Sequence, residues 1–449
     1  VKDIEGEIPF DLPDGWAIVH LKDIGIFRGG QTPQTSELCN SGDIPYFKVS
    51  DMNTCGNEFF MTCAINYLTT NIKYRLFPKN SIIFPKNGGA VFTNKKRILI
   101  KESLIDLNSG AFIPSQEVDS IFIYYLFSTI DFNKFYKGSA VPTIDFNLIN
   151  ELLWGLPPLA EQKRIVAKIE TIFAQIDLLE QNKADLQKAV KQVKSKILDL
   201  AIHGKLVRQD PADEPASVLL EKLRVEKEAK IAAGEIKRGK NDSYIYKSGT
   251  DNCYYEKFAD KTTEQIEVPF DLPESWCWQK ISSICEINPK NKLDDPLDVS
   301  FVPMTLIDAE FNNSFTYEVR KWEVVKSGFS HFSDDDIGIA KITPCFENRK
   351  SVIFRNLKNK YGAGSTELHI LRTNNQYIFN EYVFWFIKTD SFIKAGINNF
   401  TGAVGQQRIG KKILAETLIP IPPLNEQIKI CRSINKLMKE LDEIILNIV

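Results

Sequence analysis

The chain lacks most of the signatures that would mark an enzyme acting alone. There is no GxxxxGK[ST] phosphate loop, no HExxH and no GxGxxG, because Gly402–Gly410 (GAVGQQRIG) has the wrong spacing. The N/D-P-P-Y/F tetrapeptide with which amino-methyltransferases hold a target nitrogen is missing too, since both Pro-Pro pairs are followed by leucine. The eight cysteines, Cys39, Cys55, Cys63, Cys253, Cys277, Cys285, Cys345 and Cys431, contain no CxxC pair, and the four histidines do not stand near them at ligand spacing. That pattern points away from a metal site and towards reduced, mostly buried thiols. The longest apolar run lies near Ile121–Phe127, far short of the roughly 20 residues that cross a bilayer. No signal-peptide pattern opens at Val1, so a cytoplasmic location without a membrane partner is expected. A net charge of −2 and a pI near 6.2 do not announce a nucleic-acid ligand, and local basic clusters have to decide that point. Asp334, Asp335, Asp336, Glu347 and Lys350 could be drawn together as a metal-dependent nuclease centre, but a solvated acidic turn before a strand is the simpler expectation.

What is present is a frame written twice. Residues 8–16 read IPFDLPDGW and residues 268–276 read VPFDLPESW, while residues 156–162 read LPPLAEQ and residues 421–427 read IPPLNEQ. A third match sets Phe122, Tyr125, Leu126, Thr129 and Phe132 beside Tyr382, Trp385, Phe386, Thr389 and Phe392, which is helical spacing of large side chains. Between these anchors residues 28–118 and 288–378 resist alignment, apart from a weak likeness between SIIFPK (81–86) and IGIAKI (337–342). The frame is therefore shared and the surface loops diverge. Trp16 and Trp276, after the LPDG and LPES turns, are expected to be core anchors.

After the first Pro-Pro pair the apolar residues Ile165, Ile169, Ile172, Ile176 and Leu179 alternate steps of four and three, and the pattern continues through Leu186, Val190, Val193, Ile197 and Leu200. Sustained over about five heptads, this predicts a coiled-coil seam roughly 60 Å long. The second copy sets Ile430, Ile434, Leu437, Leu441 and Ile444 in the same register, and two seams on one chain invite antiparallel packing. Proline at each helix start and Glu161 or Glu426 in the first turn suit a helix N-terminus. The second helix stops near Val449 with no copy of residues 184–260, so the two helices are expected to be unequal. Residues 209–223 predict a turn and a further helix starting near Pro215, and residues 233–267 read as a polar linker. Short β-type runs such as 17–27, 81–84, 351–355 and 367–372 complete two compact α+β globules.

Loops rich in Arg, Lys, Asn, Gln, Ser and Thr recur in both globules, at 26–33, 46–53, 84–97 and 136–143, and again at 339–350, 361–367 and 400–408. Cations of this kind suit phosphates and amide side chains suit base edges.

The ordered set LPDGW, GSAVPTI, LPPLAEQ, HGKLVRQDPADEPASVLLEKLR, LPESW, AKITPCFENRK, TGAVGQQRIG and IPPLNEQ resembles the specificity subunits of Type I restriction-modification systems over essentially the whole chain. The resemblance implies two target-recognition domains at 1–155 and 268–420, conserved helices at 156–206 and 421–449, and a short helix with linker at 207–267. It also implies that the chain binds double-stranded DNA at a bipartite asymmetric site and holds no cofactor or metal. Catalysis would belong to two methyltransferase subunits using S-adenosylmethionine and to motor-nuclease subunits using ATP and Mg. Carried onto this sequence, the candidate DNA contacts are Lys48, Lys86, Asn87 and Ser139 in the first domain. In the second they are Lys341, Thr343, Asn348, Arg349, Ser365, Gln406, Gln407 and Arg408. GSAVPTI matches GAVGQQRI only in Gly-x-Ala-Val, so the two domains are expected to differ in their contacts. The competing readings are a divergent nuclease, and a coiled-coil assembly protein whose globules bind other proteins.

Overall fold

A computed structural model describes residues 12–69, 73–138, 141–234, 242–403 and 405–447. Its contacts divide the chain into two units, Val1–Glu180 and Gln181–Val449, and the helix Leu159–Ile202 begins in the first and ends in the second.

Each unit is closed by its own ends. In the first, Ala17–His20 pairs antiparallel with Leu153–Leu156, and in the second Cys277–Lys280 pairs with Leu418–Ile421. The next strand of each unit, Gly25–Gly29 or Cys285–Ile287, edges a sheet whose neighbours run in the same order. Ser109–Pro114 and then Ile82–Pro85 follow in one unit, Leu368–Thr373 and then Ile337–Ala340 in the other. A second sheet in each unit contains one parallel pair, Tyr46↔Leu104 or Ser300↔Gly362. The run at 17–27 is interrupted by a helical turn, Leu21–Ile24, where Leu21 and Ile24 both point into the core. Large aromatics fill the first core, with Phe27 against Phe84, Phe112, Phe127 and Phe146. The repeated aromatic helices are Ser120–Thr129 and Asn380–Ile387, the first capped by Asp119, which accepts from Ile121 and Phe122 N–H at 3.0 and 2.9 Å.

The repeated sequence ends turn out to be hydrogen-bonded to one another. Trp16 Nε1 donates to Glu161 at 3.3 Å, and Trp276 Nε1 donates to Glu426 at 3.0 Å. The tryptophans are thus more than core filling, and each glutamate accepts from an indole besides suiting its helix dipole. The glutamines are used identically: Gln162 donates to Pro157 O and accepts from Asp119 N, both at 2.8 Å, while Gln427 donates to Pro422 O at 2.9 Å and accepts from Phe379 N at 2.8 Å. Asp119 and Phe379 are the N-caps of the two aromatic helices, so one amide joins three elements in each unit.

Burial raises the Glu426 carboxyl above its ordinary value, partly opposed by the Trp276 hydrogen bond. A carboxyl with a raised folded pKa binds more protons folded than unfolded between the two values, so stability falls as pH climbs from about 4.5 towards the folded pKa. Glu426→Gln keeps an acceptor for Trp276 and removes the buried charge. It should flatten that fall, read as denaturation midpoints across pH 4 to 8, and an unchanged pH profile would contradict the assignment.

Three expectations change. The seam at Ile165–Leu179 is not closed along its length: Ile165 and Ile169 are half-buried, with Ile165 on the first unit's own core, but Ile172, Ile176 and Leu179 are exposed. In the second unit Ile430 and Ile434 are buried with Ile197, Leu198, Ala201 and Ile202 from the far end of the long helix, while Leu437 and Leu441 are half-buried and Ile444 is exposed. A heptad stripe dictates which face is apolar, and the nearest globular core decides what covers it. Lys194 near the end of the long helix pairs with Asp442, and Asp213, in the turn beyond that helix, pairs with Lys429, so the chain runs antiparallel to Leu424–Leu446 here. The polar linker contains a three-stranded antiparallel sheet, Ser243–Lys247, Tyr254–Phe258 and Thr263–Ile266. Its strands bury alternate positions, Ile245 in the first and Tyr254 and Glu256 in the second, with Ile245 and Tyr254 against Trp278. The helix Ala216–Ala232 begins after Pro215 as its sequence predicts. Finally, all eight cysteines are free, but only Cys285 and Cys431 are fully buried, and Cys55 and Cys63 are exposed on loops.

Candidate nucleic-acid interface

In the first unit three polar loops converge on one turn, Asp106–Ser109, that follows the strand Leu104–Ile105, and a fourth docks on one of them. The turn closes by Ser109 N donating to Asp106 O at 3.0 Å, with the Ser109 hydroxyl on the Asp106 carboxylate. Asp106 N donates to Phe47 O at 2.9 Å, which docks the loop bearing Lys48. Gly30 N reaches Ser109 O at 2.9 Å and Gln31 N reaches Ile105 O at 2.8 Å. A Cβ on Gly30 would lie 2.2 Å from Asp106 O, so only glycine permits this approach. Lys86 N and Asn87 N both donate to Asn108 O, at 2.7 and 3.1 Å. Gly88 N in turn reaches Pro142 O, and Ile144 N reaches Lys86 O at 2.9 Å, which ties in the end of GSAVPTI.

The second unit repeats this pattern with other residues. Ser365 N donates to Val302 O at 3.3 Å, Leu368 N to Ser365 O at 3.2 Å, and Lys341 N to Glu367 O at 2.9 Å. Ile409 N donates to Lys341 O at 2.9 Å and Thr343 N to Gln407 O at 3.0 Å, so the end of GAVGQQRI docks on the lysine segment just as the end of GSAVPTI does. The strand ends after Ile82–Pro85 and Ile337–Ala340 are equivalent and carry Lys86 and Lys341, which shifts the weak likeness between SIIFPK and IGIAKI by one residue.

Lys48 is exposed and Lys86 half-buried, its ammonium over Gly29, and neither has an acidic partner among the described residues. Asn87 Nδ2 donates to Leu107 O at 3.1 Å. Ser139 lies outside the described residues. In the second unit Lys341, Thr343, Ser365, Gln407 and Arg408 come together and Gln406 is exposed beside them. Arg408 grips Glu367 through two hydrogen bonds of 2.8 and 3.0 Å, which hold the Glu367 carboxyl below its ordinary range. Asn348 and Arg349 do not belong to this cluster. The Arg349 side chain is only 10% exposed, donates to Lys388 O at 3.0 Å and pairs with Asp390, while Asn348 O accepts from Glu310 N at 2.8 Å. Sequence chemistry could not separate an arginine that faces solvent from one that braces the domain.

The acidic run does not assemble a metal centre. Asp336 is buried on Arg372, Asp335 pairs with Arg355 at 3.5 Å, and Asp334 accepts from Leu357 N at 3.0 Å. Among the described residues no group of three or more His, Cys, Asp or Glu could hold a metal ion.

The turn Asp106–Asn108 lies outside every loop singled out by composition, and within the loop 361–367 only Ser365 was marked, not Thr366 or Glu367. A short Asp/Asn/Ser turn between strands resembles any hairpin, and only its recurrence at one place in both halves could have drawn attention to it.

Two copies of one α+β frame, each gathering divergent cationic and amide-bearing loops round the same turn, define a two-module recognition scaffold. Residues 13–188 and 273–448 each match the model of the Type I restriction modification DNA specificity domain, and the chain belongs to that family. It is 41% identical over 256 residues to the Type I restriction enzyme EcoAI specificity subunit of Escherichia coli, and 40% identical over 256 residues to the EcoEI specificity subunit. Each match covers 57% of this chain and 40% of the relative, so the chain spans about two fifths of the length of these relatives. Its fold is that of the HsdS subunit from Thermoanaerobacter tengcongensis, with a TM-score of 0.58, 15% identity, and 98% and 93% of the two chains covered.

Proposed function

We propose that this chain is the DNA-specificity subunit of a Type I restriction-modification complex and carries no catalysis of its own. Each unit reads one half of a bipartite asymmetric site through the loops gathered round its turn. Lys48, Lys86 and Lys341 engage phosphates, Gln406 and Gln407 address base edges, and Asn87 offers there only what its bond to Leu107 O leaves free, its Oδ1 and second N–H. The helices Leu159–Ile202 and Leu424–Leu446 act as a ruler between half-sites and as the platform for two methyltransferase subunits. Those subunits supply S-adenosylmethionine chemistry, and motor-nuclease subunits supply ATP- and Mg-dependent cleavage in the cytoplasm. The observation that carries this reading is the identical docking of unlike loops on a repeated frame, which is what recognition of two different half-sites requires.

The complex of this chain with its methyltransferase subunits should enrich a split asymmetric sequence from random duplexes. Seven residues inserted after Ile176, adding roughly 10 Å of helix, should alter the preferred spacer and leave both half-sites unchanged. Enrichment of a single contiguous element would refute the two-module reading, and an unaltered spacer would remove the ruler. A protein-assembly role predicts instead partner binding that is insensitive to salt, with no affinity for DNA.

A further inference from the structure

The equivalence of the two turns has a consequence at their tips. Asp106 and Ser365 receive the same strand contact, and Asn108 and Glu367 both accept from the lysine segment, so Leu107 and Thr366 occupy the same position between them. Both are exposed, Leu107 to 48%. An exposed leucine is unremarkable by itself. The scaffolding around this one is specific, because two loops commit side chains to holding its backbone: Leu107 N–H donates to Thr32 Oγ1 at 3.2 Å, and Leu107 O accepts from Asn87 Nδ2 at 3.1 Å. With Gly30 packed against the preceding carbonyl, the peptide is located from three directions while the side chain is left outside every apolar cluster of the described residues.

We infer that Leu107 and Thr366 are specificity-determining residues, each presented by its turn to a base edge in the major groove. Leu107 makes apolar contact with a thymine methyl, and Thr366 uses its own methyl or hydroxyl, both of which suit that groove. The neighbouring lysines are suited to phosphate, which carries no sequence information, whereas the tip residue is uncharged and different in the two units, and in the first its backbone is held by two side chains. The inference rests on the function proposed above, and it adds which residue in each module discriminates.

The test uses the complex of the full chain with its methyltransferase subunits and the duplex it selects, with each thymine replaced in turn by deoxyuridine. Losing one buried methyl contact should lower affinity about fourfold at one thymine of the half-site read by the first unit. Leu107→Ala should abolish that dependence and leave the other half-site untouched, while Thr366→Ala should relax one position of the second half-site only. Insensitivity of the wild-type complex to every replacement, a first half-site without thymine, or equal weakening on all duplexes would overturn the inference. Failure of the wild-type complex to select any split site would instead remove the proposed function, a distinct result. An unfolding midpoint unchanged by Leu107→Ala excludes loss of fold as the cause.

Discussion

Replacing Arg372, whose side chain is 30% exposed, with alanine should destabilise the second unit by about 2–4 kcal/mol, towards the lower end of the scale measured when one partner of a buried ion pair is removed. Asp336 is 2% exposed and its carboxylate is held by the Arg372 guanidinium through bonds of 2.9 and 2.7 Å. The same guanidinium reaches Ser333 Oγ at 2.9 Å and Asn291 Oδ1 at 3.2 Å, so one side chain gathers three segments. Without it only Ser333 remains on the carboxylate, through its N–H at 2.7 Å and its hydroxyl at 3.2 Å. Denaturant unfolding of the full chain measures the loss. The double change Arg372→Leu with Asp336→Leu should recover most of it, because removing both charges avoids the uncompensated carboxylate. A cost below about 1 kcal/mol, the range of an exposed ion pair, would mean that this pair is a surface feature. The result also bears on the nuclease reading, since an Asp336 committed to the fold cannot serve as a metal ligand.

The second large effect is expected at Gln427. The side chain is wholly buried, donates to Pro422 O and accepts from Phe379 N. Alanine there orphans a carbonyl and a helix N-cap amide together. At about 1–3 kcal/mol for each of the two buried groups left unpaired, the loss should be roughly 2–6 kcal/mol. Gln162 is 1% exposed and makes the same two bonds in the first unit, so Gln162→Ala should weaken the first unit by a comparable amount. Urea unfolding of both variants provides the comparison. If either substitution were silent, the amide would be dispensable and the repeated Glu-Gln pair would need another explanation.

Much of the frame was legible in the sequence because its residues answer to local rules. Pro-Pro before a heptad pattern starts a helix, and the helical spacing of Phe122, Tyr125, Leu126 and Thr129 places an apolar face. Beta-type runs at 81–84 and 367–372 lie within a residue of the strands Ile82–Pro85 and Leu368–Thr373. The sheet at 243–266 was missed because its tyrosines sit among charged residues, so burial of alternate positions against Trp278 carries more weight than mean polarity. The candidate interface was legible by composition and not by position. Loops of the right chemistry were found, but Arg349 turned inwards to Asp390 and Arg408 closed on Glu367, choices made by partners far away in sequence.

The sequence by itself determined that this protein is a duplicated α+β frame with matched ends, long helical stripes and unlike loops, because periodicity, proline and repeated motifs act over a few residues. Only the tertiary structure decided what those motifs bind. Tryptophan to glutamate and glutamine to an N-cap are contacts across more than a hundred residues or across separate elements. The loops gathered at Asp106–Ser109 and Ser365–Leu368 are brought there mostly by backbone hydrogen bonds, which, apart from the close approach of Gly30, make little demand on side-chain identity. Such bonds leave little trace in residue identity, which is why the frame could be read from the chain and the meeting point of its loops could not.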